Sequence, residues 1–231
     1  MSQRGIRLED LSRSASGLLE LARVLARLKS TPRTGWLDRG VPPALVESVA
    51  DHSHAVALLA WVCAVQRRAD GADLDPVRVL KLALLHDLAE AETGDAPPYD
   101  PASIPSEHDP DARRAFLERR HVRAAKRDVD KRIRENAAMQ ALLRALPRET
   151  QSELGEVWAD LRDGTSAEAR FTKQVDRLET FLQSRQYRRA DPSTPVSSFQ
   201  QEVMETVDDP LLAAIRDAVL ADESRDTCSD S

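Results

Sequence analysis

The sequence predicts an all-α protein, and three observations carry that prediction. Glycine is scarce, 8 in 231 residues, and aromatic residues make up only 4%. Ala, Leu, Arg and Glu, which lose little on entering a helix, are abundant. Apolar residues recur at spacings of three and four, which places them on one helical face, and nothing reads as a run of alternating strands.

Leu18, Leu19, Leu21, Ala22, Leu25 and Leu28 mark a first helix, which ends before the prolines of 32–43. A second carries Val49, Val56, Leu59 and Cys63 and stops at the breakers of 70–76. Val79, Leu82, Ala83, Leu85 and Ala89 define a third, continuing through Glu90 toward the turn residues of 94–105. Met139, Leu142, Leu143 and Leu146 precede Pro147, and Phe171, Val175, Leu178 and Leu182 follow Gly164. That last helix ends at the Asp and Pro residues of 191–195.

Composition bounds the function. A mass of 25.6 kDa with 41% apolar and 31% charged residues suits one folded core rather than a disordered chain. No stretch approaches the roughly 20 apolar residues that cross a membrane, and residues 1–29 lack the apolar run of a signal peptide. Two cysteines, Cys63 and Cys228, are too few for a disulfide framework, so the chain reads as soluble and cytoplasmic. A net charge of -6 argues against a dedicated duplex-binding protein, and no nucleic-acid partner is expected.

Charge is unevenly spread. Residues 113–134 hold ten Lys and Arg against three acids, Glu118, Asp128 and Asp130. A helix so polar on most faces is expected to be solvated or to dock on another chain. Residues beyond about Ala221 are acidic and Ser-rich and are expected to fray.

Five histidines are available to any metal site: His52, His54, His86, His108 and His121. His86 lies four residues after Leu82 and four before Glu90, so a continuous helix puts all three on one face. A buried imidazole beside the carboxylates of Asp87 and Glu90 needs partners, and a divalent cation supplies one. His52 sits between Val49 and Val56 on an apolar stripe; alone, such a residue is more often a hydrogen-bonded core histidine. His54 points elsewhere and reads as structural or supporting. Asp176, at the edge of the stripe Phe171, Val175, Leu178, Leu182, is a distant fourth ligand or an ion-pair partner of Lys173 or Arg177.

These residues follow an H…HD…D pattern that resembles the HD-domain metal-dependent phosphohydrolases. The stretches 28–36, 47–53, 86–95 and 166–179, with Leu182, Gln183 and Tyr187 after them, are similar in order to the 5′-deoxynucleotidase branch. The resemblance covers about 18–190. It implies an all-α HD-domain helical bundle over 1–190, usually homodimeric, acting on nucleoside 5′-monophosphates with deoxy forms preferred. One divalent ion (Mn, Co, Fe, Ni, Zn or Mg) would be held by His52, His86, Asp87 and Asp176. Glu90 is implied as general base or acid and Asp95 as part of the active-site hydrogen-bond network. Arg33 would grip the phosphate, and Trp36 would pack against the sugar or belong to the core.

The chain departs from the family in two places: a longer basic region at about 108–130 and a helical extension with an acidic tail over 191–231. Alternatives are a deoxynucleoside triphosphate triphosphohydrolase, marked by a wider basic pocket mouth, and a non-catalytic binding module using the basic segment. An HD-type di-iron oxygenase needs two further histidines, for which His108 and His121 are the candidates, though neither lies on an apolar stripe.

Overall fold

Polar side chains start the helices that carry the candidate residues. Ser48 accepts the Asp51 N–H while the Asp51 carboxylate accepts the Ser48 N–H, a reciprocal cap that opens α3 (Val49–Ala69). Asp75 followed by Pro76 opens α4 (Pro76–Leu85), and Ser166 caps α9 (Ala167–Ala190). The computed structural model describes residues 8–229; residues 1–7, 230 and 231, and the side chains of residues 8–10, 13 and 226–229, lie outside what it describes.

The other elements are α1 (Leu8–Leu28), α2 (Thr34–Asp38), α5 (Glu90–Thr93), α6 (Pro110–Glu118), α7 (Ala125–Ala145), α8 (Arg148–Asp163), α10 (Ser197–Thr206) and α11 (Pro210–Ser229). Among the described residues there is no strand beyond an isolated Pro32–Ser48 bridge. None of the helices is long and apolar enough to cross a membrane.

The main core lies where α3, α4 and α9 pack together. Val56, Ala60, Ala64, Val79, Ala83, Val175, Leu178 and Phe181 have no exposed surface there. Val203 of α10, Val207 and Leu212 of α11 complete the same core, so the helices after residue 191 are built into the fold. Leu211, Ile215, Val219 and Leu220 of α11, which runs from Pro210 to Ser229, pack against this core. A second cluster joins α1, the turn between α4 and α5, α7 and α8 through Val24, Leu28, Leu88, Met139, Leu142 and Trp158. Here α1 crosses α7 so closely that a Cβ on Gly17 would lie 2.2 Å from the Ala145 carbonyl oxygen.

The expected third helix is interrupted. α4 stops at Leu85, and the chain tightens into three-residue turns: Leu88 N–H bonds the Leu85 carbonyl, Glu90 N–H that of Asp87 and Glu92 N–H that of Ala89. At about three residues per turn, side chains three apart eclipse. Asp87 therefore aligns with Glu90, in place of the expected alignment of His86 with Glu90.

The basic segment is only partly the solvated face that its charge implies. Arg113 donates to the Pro105 and Asp38 carbonyls, Arg114 to Ser193 and Arg123 to Ala96 and Pro97. Arg120 pairs with Glu205 at 2.5 Å, and Lys131 turns inward to Glu90.

Candidate metal centre

α3, the α4–α5 turn and α9 bring together the four residues proposed as ligands. The His52 ring has no exposed surface. Its Nδ1 faces Glu179 Oε2 at 2.6 Å, and His86 Nδ1 faces the Ala83 carbonyl at 2.7 Å. Each acceptor takes an N–H, so in the neutral rings the proton sits on Nδ1 and both Nε2 atoms present lone pairs. These Nε2 atoms are 3.3 Å apart.

Two carboxylates close on the same point. Asp87 Oδ2 lies 3.2 Å from His86 Nε2 and 3.6 Å from His52 Nε2. Asp176 Oδ1 lies 3.1 Å from His52 Nε2 and 3.9 Å from His86 Nε2. Ligand atoms each about 2.1 Å from one ion stand about 3.0–3.4 Å apart at cis or tetrahedral angles. The donors suit a divalent cation in type; the separations of 3.1, 3.2 and 3.3 Å fall in that range and those of 3.6 and 3.9 Å lie beyond it. His52, His86 and Asp87 form a group spaced for a metal, and Asp176 lies beside it. Arg177, one possible partner of Asp176, pairs instead with Glu202 at 3.8 Å.

Protonation reflects the same demand for positive charge. Burial and Arg33 oppose a charged His52, but hydrogen bonds to Asp176 and Glu179 outweigh them and push it up to about 10. His86 is raised against its burial by Asp87. Burial disfavours the Asp87 carboxylate, yet His86, His52 and Arg33 hold it far below the usual carboxylate range.

Glu90 is 4% exposed. Its Oε1 takes a hydrogen bond from Lys131 Nζ at 3.2 Å, while Oε2 is buried with no hydrogen-bond partner. Burial and the neighbouring Asp87 push its carboxyl up to about 8, against the pull of Lys131. Lys131 also pairs with Glu135.

Arg33 stands at the start of α2, its Nη1 3.4 Å from Asp87 Oδ2 and its Nη2 3.3 Å from Thr180 Oγ1. Burial works against its charge, and Asp95, Asp87, Asp176 and Glu90 more than restore it. Gly94, at φ +71°, turns the chain after α5 so that Asp95 Oδ2 accepts the Thr34 N–H at 2.6 Å. Thr34 Oγ1 in turn donates to the Asp95 carbonyl.

Trp36 is 1% exposed, stacked between Tyr187 and Phe199 with ring centroids at 4.9 and 4.6 Å. Its Nε1 donates to Glu47 Oε1 at 2.8 Å. The ring packs in a buried cluster with Val41 and Tyr187.

His54 is exposed and does not support the site. His108 is exposed too, and His121 bonds the Phe116 carbonyl beside Tyr99. Among the described residues, the groups spaced for a metal are His52–His86–Asp87 and Glu47–His52–Glu179, and neither includes His108 or His121. Sequence reasoning missed Glu47, Lys131, Glu179 and Thr180. Of these, Glu47 and Glu179 lie within the stretches 47–53 and 166–179 that carry the family resemblance, and Glu179 stands three residues after Asp176.

Comparison with known proteins adds sequence and fold relatives. The family model for the HD domain matches residues 25–216, spanning the basic segment and running past residue 191. The 5′-deoxynucleotidase HDDC2 of Bos taurus is 32% identical over 227 residues, covering 94% of this chain and 94% of its own. The Homo sapiens 5′-deoxynucleotidase HDDC2 is 35% identical over 173 residues, covering 75% of this chain and 69% of its own. Among solved structures, a conserved hypothetical protein from Pyrococcus furiosus aligns with a TM-score of 0.65 and 25% identity, over 88% of this chain and 99% of that one.

Proposed function

The chain belongs to the HD-domain family, and from that premise we propose that it is a metal-dependent phosphohydrolase that removes the 5′-phosphate from nucleoside 5′-monophosphates, deoxy forms preferred. One observation carries the reading: four lone-pair atoms, from His52, His86, Asp87 and Asp176, converge beside a charged Arg33 and a buried Glu90. The similarity to proteins named 5′-deoxynucleotidase supports the substrate class.

His52, His86, Asp87 and Asp176 would hold a divalent ion, which would supply Lewis-acid chemistry at a phosphate oxygen and lower the pKa of water. Mn, Co, Fe, Ni or Zn suits mixed imidazole and carboxylate ligands better than Mg. Arg33 binds the phosphate, its planar donors matching phosphate oxygens. Asp87 and Thr180 hold the guanidinium from either side before substrate arrives. Glu90 takes or returns the proton of the attacking water at its unpartnered Oε2, while Lys131 fixes Oε1. Asp95 pins Thr34 and with it the loop that presents Arg33. Trp36 acts through that packing rather than by touching the sugar.

We further propose a cytoplasmic homodimer. Leu58, Trp61, Val62 and Val65 of α3 are between 43% and 55% exposed and form a stripe at i, i+3, i+4 and i+7, the pattern of a face that packs on another helix. The buried free thiol of Cys63 suits a reducing compartment.

The test is release of orthophosphate by the full chain from ribo- and deoxyribonucleoside mono-, di- and triphosphates with each metal in turn. Metal-dependent turnover of monophosphates, faster for deoxy forms, is expected. Release of inorganic triphosphate instead moves the chain to the triphosphohydrolase class, and two bound irons per chain with no hydrolysis moves it to the oxygenases.

A further inference from the structure

The two histidines of the centre are anchored differently. His86 gives its Nδ1 proton to a neutral acceptor, the Ala83 carbonyl on its own helix. His52 gives its proton to a carboxylate from another helix, Glu179 of α9, at 2.6 Å. We propose that Glu179 is a positioning residue for His52, fixing which ring nitrogen faces the cation and strengthening that nitrogen as a donor.

α9 supplies carboxylates to both sides of one ring. Asp176 and Glu179 are three residues apart, so both project from one side of the helix. The first lies 3.1 Å from Nε2 and the second 2.6 Å from Nδ1. The imidazole is thus clamped across its two nitrogens, and a ring flip would turn Cδ2 toward Glu179 and Cε1 toward the other ligands, losing both contacts. Glu179 is 7% exposed, so water offers no ready replacement. Among the described residues its ion-pair partner is His52 and no Lys or Arg, which leaves its charge directed at the ring.

A second carboxylate, Glu47, lies beside it, and burial together with the Glu179 charge pushes the Glu47 carboxyl up. Ligand atoms of Glu47, His52 and Glu179 lie within 4.8 Å of one another. Glu47 is fixed by the indole N–H of Trp36, and its backbone N–H donates to the Tyr187 hydroxyl at 2.9 Å. An anionic acceptor on the far nitrogen orients a ligating imidazole and raises its basicity, and removing such a partner weakens metal affinity about 10–100-fold.

The inference rests on the metal reading of the site and not on the substrate. It is tested in the full chain by titrating Co²⁺ into the unaltered protein, Glu179→Gln and Glu179→Ala, with calorimetry and the visible absorption of the bound ion. Gln keeps the shape and can still accept from Nδ1, so only the charge is lost. The expected result is one ion per chain in all three, affinity lowered about 10-fold or more in Glu179→Gln and further in Glu179→Ala, and a shifted Co²⁺ band. Affinity within twofold of the unaltered protein in a Glu179→Gln chain with native circular dichroism overturns the proposal, because a packing role predicts that result. A second measurement needs no variant: ¹⁵N spectra of the Zn²⁺-loaded protein should show His52 protonated at Nδ1, and a proton at Nε2 instead overturns it. If the intact protein binds Co²⁺ but hydrolyses no monophosphate, the functional reading fails and this inference stands.

Discussion

His52 and His86 meet Nε2 to Nε2 at 3.3 Å, although 34 residues separate them in the chain. Two lone pairs at that distance repel unless a proton or a cation lies between them, and both Nδ1 protons are already committed to Glu179 and Ala83. Asp87 is the nearest carboxylate to His86 Nε2, at 3.2 Å. Asp87→Ala should therefore lose stoichiometric metal in elemental analysis and fall to background turnover. Full monophosphatase activity in this variant would sink the metal assignment.

Glu90→Gln separates binding from proton transfer. The variant should bind its ion as before while turnover falls about 10²–10⁴-fold, the usual worth of a positioned acid or base. Its effect on stability has a definite sign. In chelator, Glu90 holds its proton more tightly in the fold, with a pKa of about 8 against an ordinary 4.5. Its favourable contribution is complete below about pH 4.5 and is lost as pH rises through about 8. The melting temperature of Glu90→Gln relative to the unaltered chain should therefore rise between pH 5 and 9.

Asp160 gives the opposite sign. Burial opposes its ionisation, but hydrogen bonds from Ser166, Arg78 and Thr165 hold its pKa below the ordinary 3.8. Its carboxylate takes Ser166 N–H at 3.0 Å, Ser166 Oγ at 2.8 Å and Arg78 Nε at 3.1 Å, joining α8 and α4 to the start of α9. This stability is present above about pH 4 and is lost as pH falls through the lower folded value. Asp160→Asn should cost about 1–3 kcal/mol at neutral pH by denaturant titration, with the difference shrinking toward pH 3.

The α3 stripe tests assembly. Leu58→Glu with Val62→Glu places two charges on a face that is already half exposed, so the monomer should keep its fold. Light scattering should show a dimer for the unaltered chain and a monomer for the double variant. A variant that stays dimeric with an unchanged dissociation constant rules out this face.

Much of this was legible because ionisable residues stand where the helical pattern calls for apolar ones. His52 between Val49 and Val56, and His86 after Leu82, break an apolar stripe; Asp87 follows His86 directly and Asp176 borders the stripe of Phe171, Val175, Leu178 and Leu182, and the family resemblance joined the four as one ligand set. The local turn at residues 86–89 was not legible: four residues are too few for their apolar pattern to tell a repeat of 3.0 from one of 3.6, so Asp87 rather than His86 aligning with Glu90 needed coordinates. Lys131 was hidden for another reason. Its neighbours in the run are also basic, and charge alone does not tell which of ten cations turns inward. Glu179 was visible only as a polar residue on a buried helix, since its partner His52 lies 127 residues away.

The arginines that tie the basic segment to the loops around the site grip main-chain oxygens: those of Ala96 and Pro97 by Arg123, and those of Asp38 and Pro105 by Arg113. A carbonyl is common to every amino acid. The places of these loops are thus written in the guanidinium side chains, and the residues they grip are free to change identity without letting go.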